Sequence, residues 1–123
     1  MEACPKDPKR EERIRNEAIV DAYGESEVAM SWYYYLKDKM QFPFKARCIA
    51  VKKKSRLKEG DLVTVTAMGG EDECEHDMWV EVKSKKDTFL VPLAQLRPVD
   101  EDDAETLQAV EDWHYWLARG YLF

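Results

Sequence analysis

Apolar positions along the chain change their period twice. From Lys9 to Tyr23 the spacing is helical: Ile14, Ala18 and Ala22 fall at i, i+4 and i+8, and Ile19, Val20 and Tyr23 widen the stripe. Gly24 reads as the stop of this helix and Ser26 as the N-cap of the next. In that second helix Met30, Tyr33, Tyr34 and Leu36 share one side. It must end before Pro43, because a residue preceding proline is pushed out of the helical region. The period then becomes two. Ala46 to Val51 is short and apolar-rich, and Leu62 to Thr66 has β-branched strand composition behind the turn Glu59-Gly60-Asp61. Met78, Val80 and Val82 alternate with Trp79, Glu81 and Lys83, and Thr88 to Val91 forms another short strand that Pro92 closes. Ala94 to Pro98 reads as a turn leading out. Helical spacing returns over 100–119, where Leu107, Val110, His114 and Leu117 recur, and Arg119-Gly120 supplies the stop. Residues 1–8, with two prolines, read as a frayed start.

This pattern predicts a single α+β domain over residues 1–123. Four short strands form a small antiparallel β-barrel or curled sheet, flanked by two N-terminal helices and one C-terminal helix. A length of 123 residues is enough to bury one modest core. No apolar run approaches the roughly 20 residues of a transmembrane helix, and the charged start MEACPKDPKREER has no apolar signal core. Three cysteines at irregular spacing, Cys4, Cys48 and Cys74, read as free thiols, so a cytoplasmic location is expected and no membrane partner. The aromatic runs Trp32 to Tyr35 and Trp113, Tyr115, Trp116 read as helix packing, and Cys48 as buried strand structure.

Charge changes the picture. The net charge is −6, but it is unevenly distributed. Seven bases and no acid lie between Lys45 and Lys58; seven acids and no base lie between Asp100 and Asp112; Glu71 to Asp77 holds five acids. Such blocks are commonly solvated faces. Their functional reading is binding of a hard cation, since Ca²⁺ takes six to eight oxygen ligands. An EF-hand register starting at Asp100 fails, because Glu105 stands where the obligatory glycine belongs and Ala104 offers no side-chain oxygen. Asp38 is a sharper candidate. A carboxylate near a helix C-terminus opposes the macrodipole, and a bound cation would reverse that penalty while the last helical carbonyls join it. The competing reading is an exposed Asp38 paired with Lys37 or Lys39.

The strings EERIRNEAIVDAY, WYYYLKDKMQFPFKARC, VPLAQLRPVD and AVEDWHYW resemble the cyanobacterial-type calcium-binding protein family, CcbP. The resemblance spans about residues 11–121, with the strands of 52–90 contributing least. It implies a small Ca²⁺ binder without EF-hands, built on an SH3- or Sm-like β-unit with flanking helices, and a role in calcium buffering or signalling. It implies Asp38 as the important acidic ligand, with Glu111 and Asp112 of VEDWHYW and Asp100 of RPVD as further metal ligands. The lysine-rich loop at 52–58 and the lower acidity depart from the family pattern.

Other classes fit less well. A nucleic-acid module would use the basic 45–58 run, yet the net charge opposes it and no basic–aromatic alternation accompanies it, so nucleic acid is not the expected partner. An enzyme is not expected: there are two histidines, and no nucleophile elbow, P-loop or dinucleotide fingerprint. His114 lies on an apolar stripe and reads as packed; Cys74 and His76 lack a second pair for zinc. A protein-interaction role on the same scaffold stays open, with no protein partner identified and a monomer expected.

Overall fold

The computed structural model describes residues 6–19, 24–50, 56–74, 77–85, 87–99 and 103–119. Helix α1 (Pro8–Arg13) starts at an Asp7 cap and runs into a π-helical turn (Ile14–Ala18) that buries Ile14 and Ala18. Helix α2 spans Glu25–Lys39. The strands are β1 (Phe44–Cys48), β2 (Leu62–Met68), β3 (Trp79–Ser84), β4 (Asp87–Pro92) and β5 (Leu96–Pro98), with a 3₁₀ turn at Leu93–Gln95. Helix α3 (Ala104–Ala118) closes the described chain. The five strands form one antiparallel sheet in the order β4-β3-β2-β1-β5. The fold is α+β with a curled, open sheet, as the periodicity implies.

Four boundaries differ from expectation, each for a local reason. The first helix changes to π geometry at Ile14, and residues 20–23 lie outside those described. Gly24 caps the start of α2 with extended backbone rather than ending α1, displacing the cap expected at Ser26. Ala94 to Pro98 is a 3₁₀ turn followed by strand β5, not merely a turn: Leu96 and Pro98 face inward, Arg97 outward. Helix α3 begins at Ala104, inside the expected span 100–119, and Asp103 caps it: its carboxylate accepts from Thr106 N–H at 3.1 Å and from Thr106 Oγ1 at 2.7 Å.

Alternation explains the layers. In β1, Phe44, Ala46 and Cys48 are buried while Lys45 and Arg47 are exposed. In β3, Val80 and Val82 point to the same core. Helices α2 and α3 cover that face. Trp32, fully buried on α2, stands 5.1 Å from Trp113 and 5.6 Å from Trp116 on α3, with Tyr35 5.7 Å away. These aromatics hold α2 against α3 above the sheet. Near the end of α2 the chain is held by Thr106, whose Oγ1 accepts from Gln41 N–H at 2.8 Å.

Candidate metal centre

Asp38 lies in the last turn of α2 and is exposed. It makes no ion pair among the described residues, so neither Lys37 nor Lys39 neutralises it there. Spacings of four, three and four residues place Glu27, Ser31, Tyr34 and Asp38 along one stripe of the helix. They line an open groove of about 950 Å³, with Glu17 of the π turn on the facing wall. Tyr35 and Lys39 complete part of its lining. Tyr34 also donates from its hydroxyl to Glu71, tying α2 to the acidic turn that begins the 71–77 block. This hydrogen bond raises the Tyr34 pKa, with burial adding to it.

The other sequence candidates lie elsewhere. Asp112 is completely buried on α3. Its carboxylate accepts from Arg10 Nη1 at 2.8 Å, Arg13 Nη2 at 2.6 Å, Arg13 Nε at 3.0 Å and Tyr35 Oη at 2.8 Å. Both oxygens are therefore committed to two guanidiniums and a phenol, which explains the burial of the charge. Asp112 in turn raises the pKa of Arg13, and burial together with the same carboxylate raises that of Tyr35. Glu111 sits in a different groove, 3.6 Å from Arg10 and 3.7 Å from Arg97. Arg10 and Arg13 of α1 thus hold Asp112, and Arg10 with Arg97 of β5 holds Glu111, while Asp38 lines a different groove. Asp100 falls outside the described residues.

Sequence reasoning missed Glu17 and Glu27. Glu27 was accessible from helical spacing, since it stands three turns before Asp38 on the same stripe. Glu17 had no such signal, because it reaches the groove through the packing of the π turn beside α2.

The remaining polar candidates are structural. His114 Nε2 donates to the Leu96 carbonyl at 2.7 Å, and burial lowers its pKa. Cys74 is buried, and its Sγ accepts from Trp79 N–H at 3.4 Å. His76 lies outside the described residues. Burial raises the pKa of both Cys48 and Cys74, which keeps them as thiols.

The groove's donors are carboxylate and hydroxyl oxygens, the chemistry that suits a hard cation. They do not form a closed cage. Among the described residues no three Asp, Glu, His or Cys side chains stand close enough to hold a metal ion. A cation here would therefore be met by exposed carboxylates, backbone carbonyls and water, which fits the tolerant coordination of Ca²⁺ better than the strict octahedron of Mg²⁺.

An open sheet covered by helices, with a groove that offers carboxylate and hydroxyl oxygens beside Met30 and Lys39, is the frame of a domain whose chemistry suits a hard cation without an EF-hand. Comparison with known proteins makes the assignment specific. The CcbP family model, described as calcium binding, matches residues 12–117, and the chain belongs to that family. The crystal structure of Anabaena CcbP is similar over 100% of both chains, at 43% identity and a TM-score of 0.88. A solved calcium-binding protein in the calcium-binding form is similar over 96% of each chain, at 42% identity and a TM-score of 0.83. No curated protein matches the chain. Calcium is therefore the ligand of this chain's family, and no helix among the described residues is long and apolar enough to cross a membrane.

Proposed function

We propose that this chain binds Ca²⁺ reversibly in the α2 groove, with Asp38 as the central ligand and Glu17 of the π turn as a second carboxylate, and that it serves calcium buffering or signalling in the cytoplasm. One observation carries the placement. Asp38 is an exposed carboxylate without an ion pair among the described residues, at a helix end whose dipole disfavours it. A cation there relieves that cost and the repulsion from Glu17, which lines the same groove. Asp112 has no comparable vacancy, because four hydrogen bonds occupy its oxygens. Glu111 and Asp112 hold α1 against α3, and Asp100, at the start of the acidic segment, serves as a further ligand.

Terbium tests the placement, since it takes calcium's oxygen donors and emits when a nearby tyrosine or tryptophan is excited. Tyr34 and Tyr35 line the groove. Wild-type protein should show sensitised emission that Ca²⁺ displaces, and the Glu17→Gln, Asp38→Asn double variant should lose most of it. Full emission from the double variant would move the site away from α2.

A further inference from the structure

The sheet has a second, oppositely charged surface that the calcium groove does not use. In β1 and β5 the residues that point away from the core are Lys45, Arg47 and Arg97, all exposed. In β3 the matching position is Lys83, also exposed. The strand register brings these side chains together. Thr64 pairs with Lys45 on one side and Lys83 on the other, and Lys83 pairs onward with Thr88. One row therefore reads Lys45, Thr64, Lys83, Thr88 across four strands. In the next row Arg47 pairs with both Arg97 and Leu62.

This row pattern is unusual for a sheet. Like charges directly opposite one another destabilise a strand pair, and Arg47 faces Arg97. Lys45 and Lys83 have no ion-pair partner among the described residues. Arg47 donates to the Gly60 carbonyl at 3.2 Å, and Arg97 pairs with Glu111 at 3.7 Å, an exposed ion pair that a phosphate can replace at little cost. The acid on this face of the described strands is Glu81, whose carboxylate already accepts from Thr66 Oγ1 at 2.7 Å. In a chain of net charge −6, four cations and two hydroxyls thus share one face of the sheet, with Leu62 and Leu90 exposed on it as well.

We infer that this face binds the sugar–phosphate backbone of single-stranded nucleic acid. Neighbouring strands lie about 4.8 Å apart, so Lys45 and Lys83 stand roughly 10 Å from each other with the Thr64 hydroxyl between them. Such an array offers alternating cations and hydrogen-bond donors to successive phosphates. A protein partner would be held by buried aromatic or aliphatic anchors. Leu62 and Leu90, exposed on this face, stand singly on either side of the Lys–Thr row and form no such cluster, and aromatic platforms for stacked bases are missing from the row too. Contact is therefore to the backbone, without sequence preference, and affinity is modest, with Kd on the order of 10–100 μM at physiological salt.

The test is fluorescence anisotropy of a labelled single-stranded oligonucleotide with the full chain, from about 30 to 200 mM salt. Four phosphate contacts give a log–log salt slope near −3, at about 0.7 per contact on single strands. The Arg47→Gln, Lys83→Gln variant changes two exposed side chains, and its thermal melt should match wild type. It should halve the slope to about −1.4 and weaken binding several-fold at low salt. Absence of binding at about 30 mM salt overturns the inference. So does unchanged binding by the variant, which would move the contact to the lysine-rich loop. Sedimentation at low salt gives a third reading: self-association abolished by the same variant would assign the face to a second copy of the chain and overturn the nucleic-acid assignment.

Discussion

Asp38 and Asp112 are both aspartates on helices, and their surroundings give them opposite uses. Asp112 is enclosed by Arg10, Arg13 and Tyr35, so its charge is fixed in place and joins α1, α2 and α3. Breaking a buried pair leaves the partner charges uncompensated. Asp112→Asn should therefore cost about 3 kcal/mol in urea unfolding while calcium affinity of the folded protein stays near wild type. Loss of calcium binding at full stability would instead make Asp112 a ligand. His114 offers a second check at this scale. Burial lowers its pKa below the ordinary 6.5, so the unfolded chain takes up a proton more readily than the folded one. The stability this residue contributes is complete above about pH 6.5 and is lost as pH falls through the depressed folded value. Melting temperature followed from pH 8 down to 5, at about unit intervals, should drop less steeply for His114→Gln than for wild type. Equal slopes would mean that another group carries the acid limb.

At the scale of elements, the helices and the alternating strands were legible because each obeys one period over several residues. Val80 and Val82 alternate with Glu81 and Lys83, and the observed strand follows that alternation. Strand β5 was not legible, because three residues ending in proline carry too short a pattern, and its pairing with β1 is a long-range contact. The π turn was hidden for the opposite reason: Ile14 and Ala18 keep helical spacing, and only the hydrogen bond from Ile19 N–H to the Ile14 carbonyl, five residues back, reveals the wider winding. Of the proposed site, the place of Asp38 at the end of α2 could be read from the approach to Pro43, whereas the pairing of Asp112 and Glu111 with arginines depends on contacts about 100 residues distant in sequence or with strand β5. The junction between α3 and the end of α2 is likewise tertiary. Asp103 caps α3 through Thr106, and Thr106 holds Gln41 three residues beyond Asp38. Asp103→Ala should destabilise the fold by about 1 kcal/mol, the usual worth of an N-cap, as measured by chemical unfolding. A change within error would show that the cap is redundant here.

For the whole molecule, the decisive feature is segregation of charge. Acids of the π turn and α2 line one groove, while exposed cations line the far side of the sheet. The net charge of −6 averages over these two surfaces and describes neither. Calcium at the groove adds binding free energy to the folded state alone, about 2.7 kcal/mol when free calcium is a hundred times Kd. Calorimetric titration of chelator-stripped protein with Ca²⁺, in excess Mg²⁺, measures the central claim most directly when wild type, Asp38→Asn and Asp112→Asn are compared. Saturable binding in wild type and in Asp112→Asn, weakened at least about tenfold in Asp38→Asn, is the expected result. Equal affinity in wild type and Asp38→Asn, or no heat of binding in wild type, would contradict it.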